Sequence, residues 1–186
     1  MLKLTGVFLL LSITYSSGQG VVFSDIKSKA KESLELNDYN FTDDTLKLVA
    51  STKFLYYPFG EFHHVKELKK NFINVQYTEK EGLPYVIAAN SYIKFFYDVD
   101  KDSFELVYAK ISNPNFVMTN GIKIGMTKKE LFDTYFTEAI DKMDSIKVLT
   151  VESALVGIWH YYTFEKNILV SICLDTDYQL NKGIEP

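Results

Sequence analysis

Arginine is absent from this 186-residue chain, and all 20 basic residues are Lys. The planar fork that grips carboxylates and phosphates bidentately is therefore missing, and phosphoryl-transfer chemistry loses a common tool. Positive charge is also in deficit. Twenty Lys stand against 24 acidic residues, and the net charge of −4 argues against a DNA- or RNA-binding role. Cysteine is reduced to Cys173, so no internal disulfide can form and stability must come from packing. Ile172-Cys173-Leu174 reads as a buried strand, and no His lies nearby in sequence to activate the thiol. Beyond the first 20 residues no apolar run approaches the roughly 20 residues that span a bilayer. The patterns G-x-S-x-G, H-E-x-x-H, C-x-x-C and the P-loop are all missing, so four common routes to catalysis are closed. What is present is ordinary globular composition, 47% hydrophobic and 24% charged, enough for one domain with a real core.

The N-terminus, MLKLTGVFLLLSITYSSGQG, has Lys3, an apolar run from Val7 to Ile13 and then small residues. That order reads as a signal peptide over 1–18, with cleavage after Gly18 and Gln19 as the new N-terminus, cleavage after Gly20 being the near alternative. The chain is expected to be exported, to the periplasm or the outside if the source is bacterial. No Cys sits at the cleavage point to carry a lipid. Over 24–36, Ile26, Ala30 and Leu34 recur at spacings of four, which predicts an amphipathic helix capped by Ser24. Residues 19–45 thus read as this helix followed by a polar linker, NDYNFTDD, that holds the sequon Asn40-Phe41-Thr42.

From residue 46 the chain repeats itself. Gly60 and Gly125 each follow an apolar, strand-like stretch (KFLYYPFG; NGIKIG) and precede a short amphipathic helix, FHHVKELKKNF or TKKELFDTYF. The spacing of 65 between these glycines also carries Ile93 onto Ile158, Phe96 onto Tyr161 and Phe104 onto Leu169. The expected architecture is α+β, with two tandem helix-plus-antiparallel-strand repeats over 46–115 and 116–186 in one globular domain. The helices are expected to pack on one face of an antiparallel sheet.

The phrase GIKIGMTKKELFDTYF resembles the Gly-Met-Thr/Ser-x-x-Glu/Gln-Val/Leu signature of the β-lactamase inhibitory protein-like (BLIP-like) fold and of the small outer-membrane assembly lipoproteins. Thr127 is placed to cap the helix, with Glu130 completing a capping box, and Gly125 permits the tight turn before it. The first copy departs from the signature with Gly60-Glu61-Phe62, and neither the inhibitor's disulfides nor the lipoprotein's anchoring Cys has a counterpart. The resemblance implies a non-enzymatic protein that binds another protein with a curved sheet.

Two clusters invite a metal without completing a ligand set. His63 and His64 in EFHHVKE lack a third ligand, and neighbouring helix residues point apart. Asp98, Asp100, Asp102 and Glu105 open like a calcium loop, but Ser103 and Ala109 stand where Gly and Glu are needed. No metal or cofactor is therefore assigned. His160 is expected in the core beside Tyr162. The informative feature is aromatic alternation: Tyr92, Lys94 and Phe96 share one strand face, as do Trp159 and Tyr161, while Phe104, Leu106, Tyr108, Leu169 and Cys173 are expected to join them. The candidate binding residues are Trp159, Tyr161, Tyr92, Phe96 and Tyr108, on a face that suits a protein partner. The alternatives are a small-ligand or glycan binder that stacks on Trp159, and a hydrolase built on scattered carboxylates.

Overall fold

The computed structural model describes residues 38–72, 76–80, 83–136, 140, 142–155 and 157–178. The expected signal peptide and the helix expected over 24–36 lie outside them. Nine described strands are β1 (Asp38–Thr42), β2 (Thr45–Ala50), β3 (Gln76–Lys80), β4 (Leu83–Ala88), β5 (Ser91–Asp98), β6 (Ser103–Ile111), β7 (Val148–Ser153), β8 (Ile158–Glu165) and β9 (Ile168–Thr176). They form one sheet in the order β1-β2-β7-β8-β9-β6-β5-β4-β3, antiparallel throughout except that β2 and β7 run parallel. Three short helices accompany it: α1 (Lys53–Tyr56), α2 (Val65–Asn71) and α3 (Lys128–Tyr135). None of the described helices is long and apolar enough to cross a membrane.

This overturns the expected pair of helix-plus-strand repeats under a helical layer. The sheet is single and mixed, and helices of four, seven and eight residues cannot cover nine strands. Most of the covering layer is irregular chain instead: Phe59, Phe62, Phe116, Met118 and Ile122 pack with Leu55, Leu68, Leu131 and Phe132 from the helices. The stretch KFLYYPFG, expected as a strand, starts with α1, where Thr52 Oγ1 accepts from the Phe54 N–H at 3.3 Å. Pro58 disfavours helix at Tyr57 and stops it after one turn. NGIKIG makes only the isolated bridge Val117–Lys123. In the region expected as a polar linker, 38–42 is the edge strand β1, which turns back onto β2.

The spacing of 65 survives as a spacing of strands. β4 and β7 start and end 65 residues apart, and so do β6 and β9. The middle strands do not follow it. Val86 pairs with Ile93 and Val151 with His160, so the residue matched to Ile93 is His160 and the spacing there is 67. By the same pairing Trp159 matches Tyr92, and Tyr161 matches Lys94.

One side of the sheet carries the core, including Leu46, Leu48, Val86, Ile93, Leu149, Val151, Ile172 and Leu174, all at most 1% exposed. Burial at about 25 cal/mol per Å² of apolar surface is what holds this side against the covering layer. Two β-bulges re-aim side chains. Between β5 and β6 the pairing steps from Lys94–Tyr108 to Phe95–Leu106, and between β8 and β9 from Thr163–Ser171 to Phe164–Leu169. Each step leaves one extra residue, Val107 or Val170, and everything beyond it changes face. Phe104, Leu106 and Leu169, expected on the outer face, therefore point into the core and are 6%, 4% and 0% exposed.

A buried polar chain crosses this core. His160 Nε2 faces the Leu55 carbonyl at 3.1 Å, its Nδ1 faces Tyr162 Oη at 3.1 Å, and Tyr162 Oη lies 2.6 Å from Tyr135 Oη. A carbonyl can only accept, so Nε2 carries the proton of a neutral ring, Tyr162 donates to Nδ1, and Tyr135 donates to Tyr162. Burial pushes the His160 pKa down to about 4 from 6.5, against the smaller opposing pull of the Leu55 carbonyl.

Candidate binding face

The side of the sheet away from this core is built by the alternate residues of the same strands. Across β8, β9, β6 and β5 the pairing aligns Trp159, Asp175, Tyr108 and Lys94 in one row. The next row is Tyr161, Cys173, Lys110 and Tyr92. The rows are knitted diagonally: the Tyr92 and Tyr108 rings stack at 5.8 Å, and the Cys173 thiol donates to Tyr108 Oη at 3.4 Å. Strand pairing thus brings Trp159, Tyr161, Tyr108 and Tyr92 together, four of the five residues expected to bind.

Phe96 is not among them. It lies on the same face of β5 but beyond the bulge, paired with Glu105, and its ring meets Tyr178 edge-on at 4.8 Å. The expectation of one broad open face is also narrowed. Tyr85 and Lys94 are fully buried, Lys94 Nζ lies 5.0 Å from the centre of the Tyr85 ring, and Tyr92 is only 8% exposed. The part-exposed ground is Trp159, Tyr161, Cys173 and Tyr108 over β8, β9 and β6. Beside it, a concavity of about 410 Å³ lies at the ends of β4, β5 and β6, lined among the described residues by Ser91, Tyr92, Lys110 and Ser112 with the β4–β5 turn.

Electrostatically the face is mixed. Burial, then the charge of Asp175, raises the Tyr161 phenol, and burial with the Cys173 contact raises that of Tyr108, so both hydroxyls stay protonated. Burial likewise raises the Cys173 thiol, which keeps it a hydrogen-bond donor instead of a nucleophilic thiolate. Lys47 and Glu152 form an ion pair on the neighbouring strands β2 and β7. The arrangement offers ring area with protonated hydroxyl handles, which is the chemistry of recognition.

The remaining candidates are scattered. His160 is in the core. His63 Nδ1 lies 2.6 Å from the Asp102 carbonyl, while the Glu67 carboxylate accepts from the His63 and His64 N–H groups at 2.6 and 3.2 Å. The Asp98 carboxylate accepts from the N–H groups of Asp100 and Lys101 at 3.0 and 3.3 Å and pairs with Lys101 Nζ at 3.4 Å. Among the described residues no group of three or more His, Cys, Asp or Glu could hold a metal ion. Sequence reasoning gave no role to Tyr85 or Tyr178. Tyr85 sits in the unbroken apolar run LPYVIA, which gives no alternation to assign its face, and Tyr178 lies past the last strand. Comparison with protein-family models, curated proteins and solved structures finds no match to this chain.

Proposed function

We propose that this chain is an exported binding protein that engages another protein through the outer face of β8, β9 and β6. One observation carries the reading. Trp159 and Tyr161 on β8 and Tyr108 on β6, with β9 between the two strands, stand away from the core, and each stays partly exposed. Interfaces enrich these residue types, since each brings apolar area and a polar handle at little entropic cost. The likeness of the phrase around Gly125 to the β-lactamase inhibitory protein-like family belongs to the same proposal, as does export with Gln19 as the first residue. The test is affinity capture from the source's envelope or culture fluid with the mature chain and its Trp159→Ala and Tyr161→Ala variants. A prey held by the parent and lost by both folded variants supports the reading. A prey retained equally by all three overturns it.

A further inference from the structure

A second concavity lies apart from the aromatic rows, at the end of the sheet where β6 begins and β9 finishes. It encloses about 150 Å³, and its apolar walls are buried Leu106 and Ile158 with the rings of Tyr56 and Tyr178. The other described lining residues, Lys101, Glu105 and Asp177, are charged. Glu105 is buried, and both of its oxygens already accept, Oε1 from the Lys101 ammonium and Oε2 from the Tyr178 hydroxyl. Lys101 also pairs with Asp98 at 3.4 Å. Lys101 and Asp177 are themselves exposed, so water screens their charge. An ion entering the void would lose its hydration and compete with contacts already made. What the pocket offers a ligand is its apolar wall.

Tyr178 closes one side of that wall, and the backbone places it there. The Asp177 N–H donates to the Gly157 carbonyl at 2.7 Å, and a Cβ built on Gly157 would lie only 2.6 Å from Asp177 Cβ. Glycine at 157 is thus what lets Asp177 close over the start of β8. Tyr178 follows, folded back so that its hydroxyl donates to Glu105 while its ring meets Phe96 edge-on at 4.8 Å. A cavity of about 150 Å³ lined by Leu, Ile and Phe stays dry in an engineered protein interior and takes up benzene. Here the same volume is bounded by Leu, Ile and Tyr.

The geometry points to this pocket as a binding site for a neutral aromatic ring of about six carbons, seated against Leu106 and Ile158 and closed in by Tyr178. A free arene and a phenylalanine side chain of a partner share that chemistry. The site stands independently of the aromatic face, so either can fail alone.

The experiment titrates the full chain with benzene and with its charged relatives benzylammonium and benzoate, following the methyl signals of Leu106 and Ile158 by NMR. The expected result is saturable binding in which benzene is at least tenfold tighter than either ion. An absence of saturation, or an ion held as tightly as benzene, overturns the site. Gly157→Ala keeps every wall residue but displaces Asp177, so it should weaken benzene at least threefold, and Tyr178→Ala should do the same. Benzene affinity unchanged in both folded variants overturns the closure by Tyr178. Should the variants lose their sheet signals, the parent decides alone: Overhauser contacts from bound benzene should reach the Leu106 and Ile158 methyls and the Tyr178 ring, and saturation without them overturns the proposal. N-acetyl-phenylalanine methylamide then separates the sources. Affinity equal to that of benzene supports a partner's side chain, and weaker affinity supports a free arene.

Discussion

The meanders β4–β5–β6 and β7–β8–β9 meet at the β6–β9 pair and fill their matched positions differently. Inward, Ile93 in one is answered by His160 in the other, so only one half carries a titratable ring in its core. Outward, fully buried Lys94 is answered by partly exposed Tyr161, and nearly buried Tyr92 by partly exposed Trp159. The same ladder therefore closes its outer face in one half and leaves it accessible in the other. Backbone pairing tolerates both contents, which means the aromatic ground over β8 is not demanded by the strand arrangement.

The sharpest break between the halves is acid. In the folded chain His160 is neutral down to about pH 4, whereas in the unfolded chain it takes a proton near 6.5. Between those values the unfolded state binds more protons, so stability is fullest above pH 6.5, falls as pH drops, and levels off below about pH 4. The shift amounts to about 3 kcal/mol at 1.36 kcal/mol per pKa unit. His160→Ile, which copies the residue matched in the other meander, should remove this slope. It should also lower stability at pH 7 by about 1–3 kcal/mol, because the Leu55 carbonyl and the Tyr162 hydroxyl lose their partner. Urea midpoints of both chains across pH 4–7 decide it, and parallel curves would mean that His160 does not titrate as its burial requires.

The outer face should divide stability from binding. Tyr92→Ala removes a ring that is 8% exposed and should cost about 3–5 kcal/mol of stability, as buried aromatics do. Trp159→Ala removes a partly exposed ring and should cost much less in stability while weakening partner binding by about 2 kcal/mol or more. Denaturant midpoints together with partner affinity in both variants test the split. Equal stability losses would make Trp159 a core residue and would move the functional search away from β8.

Parity explains what could be read without coordinates. Matching Ile93 to Ile158 was wrong by two residues, and because side chains alternate with period two, Trp159, Tyr161, Tyr92, Tyr108 and Cys173 still fell on the correct face. A one-residue bulge has the opposite effect. Val107 and Val170 have no signature that separates them from ordinary strand valines, so Phe104, Leu106 and Leu169 were assigned to the wrong side. The helical layer failed for a different reason: short apolar stretches such as KFLYY do not distinguish a strand from one capped helical turn by periodicity. Tyr178 belongs to no periodic segment, and the pocket it lines arises only when the end of β9 meets the start of β6.

The smallest expected contrast concerns the starts of α2 and α3. At α3, Thr127 Oγ1 accepts from the Glu130 N–H at 3.2 Å, and the Glu130 carboxylate accepts from the Thr127 N–H at 2.8 Å. Two orphan donors of the helix end are thereby satisfied in a reciprocal box. At α2 the cap position is His64, and the Glu67 carboxylate takes the N–H groups of both His63 and His64. The acidic half of the box is present there, but no hydroxyl caps it. Thr127→Ala should therefore cost about 1 kcal/mol, whereas His64→Ala should cost only a few tenths. Chemical denaturation of the two variants side by side measures the difference. A larger loss at His64 would mean that its ring, exposed as it is, holds the first turn of α2, and that the two helix starts use different groups for the same work.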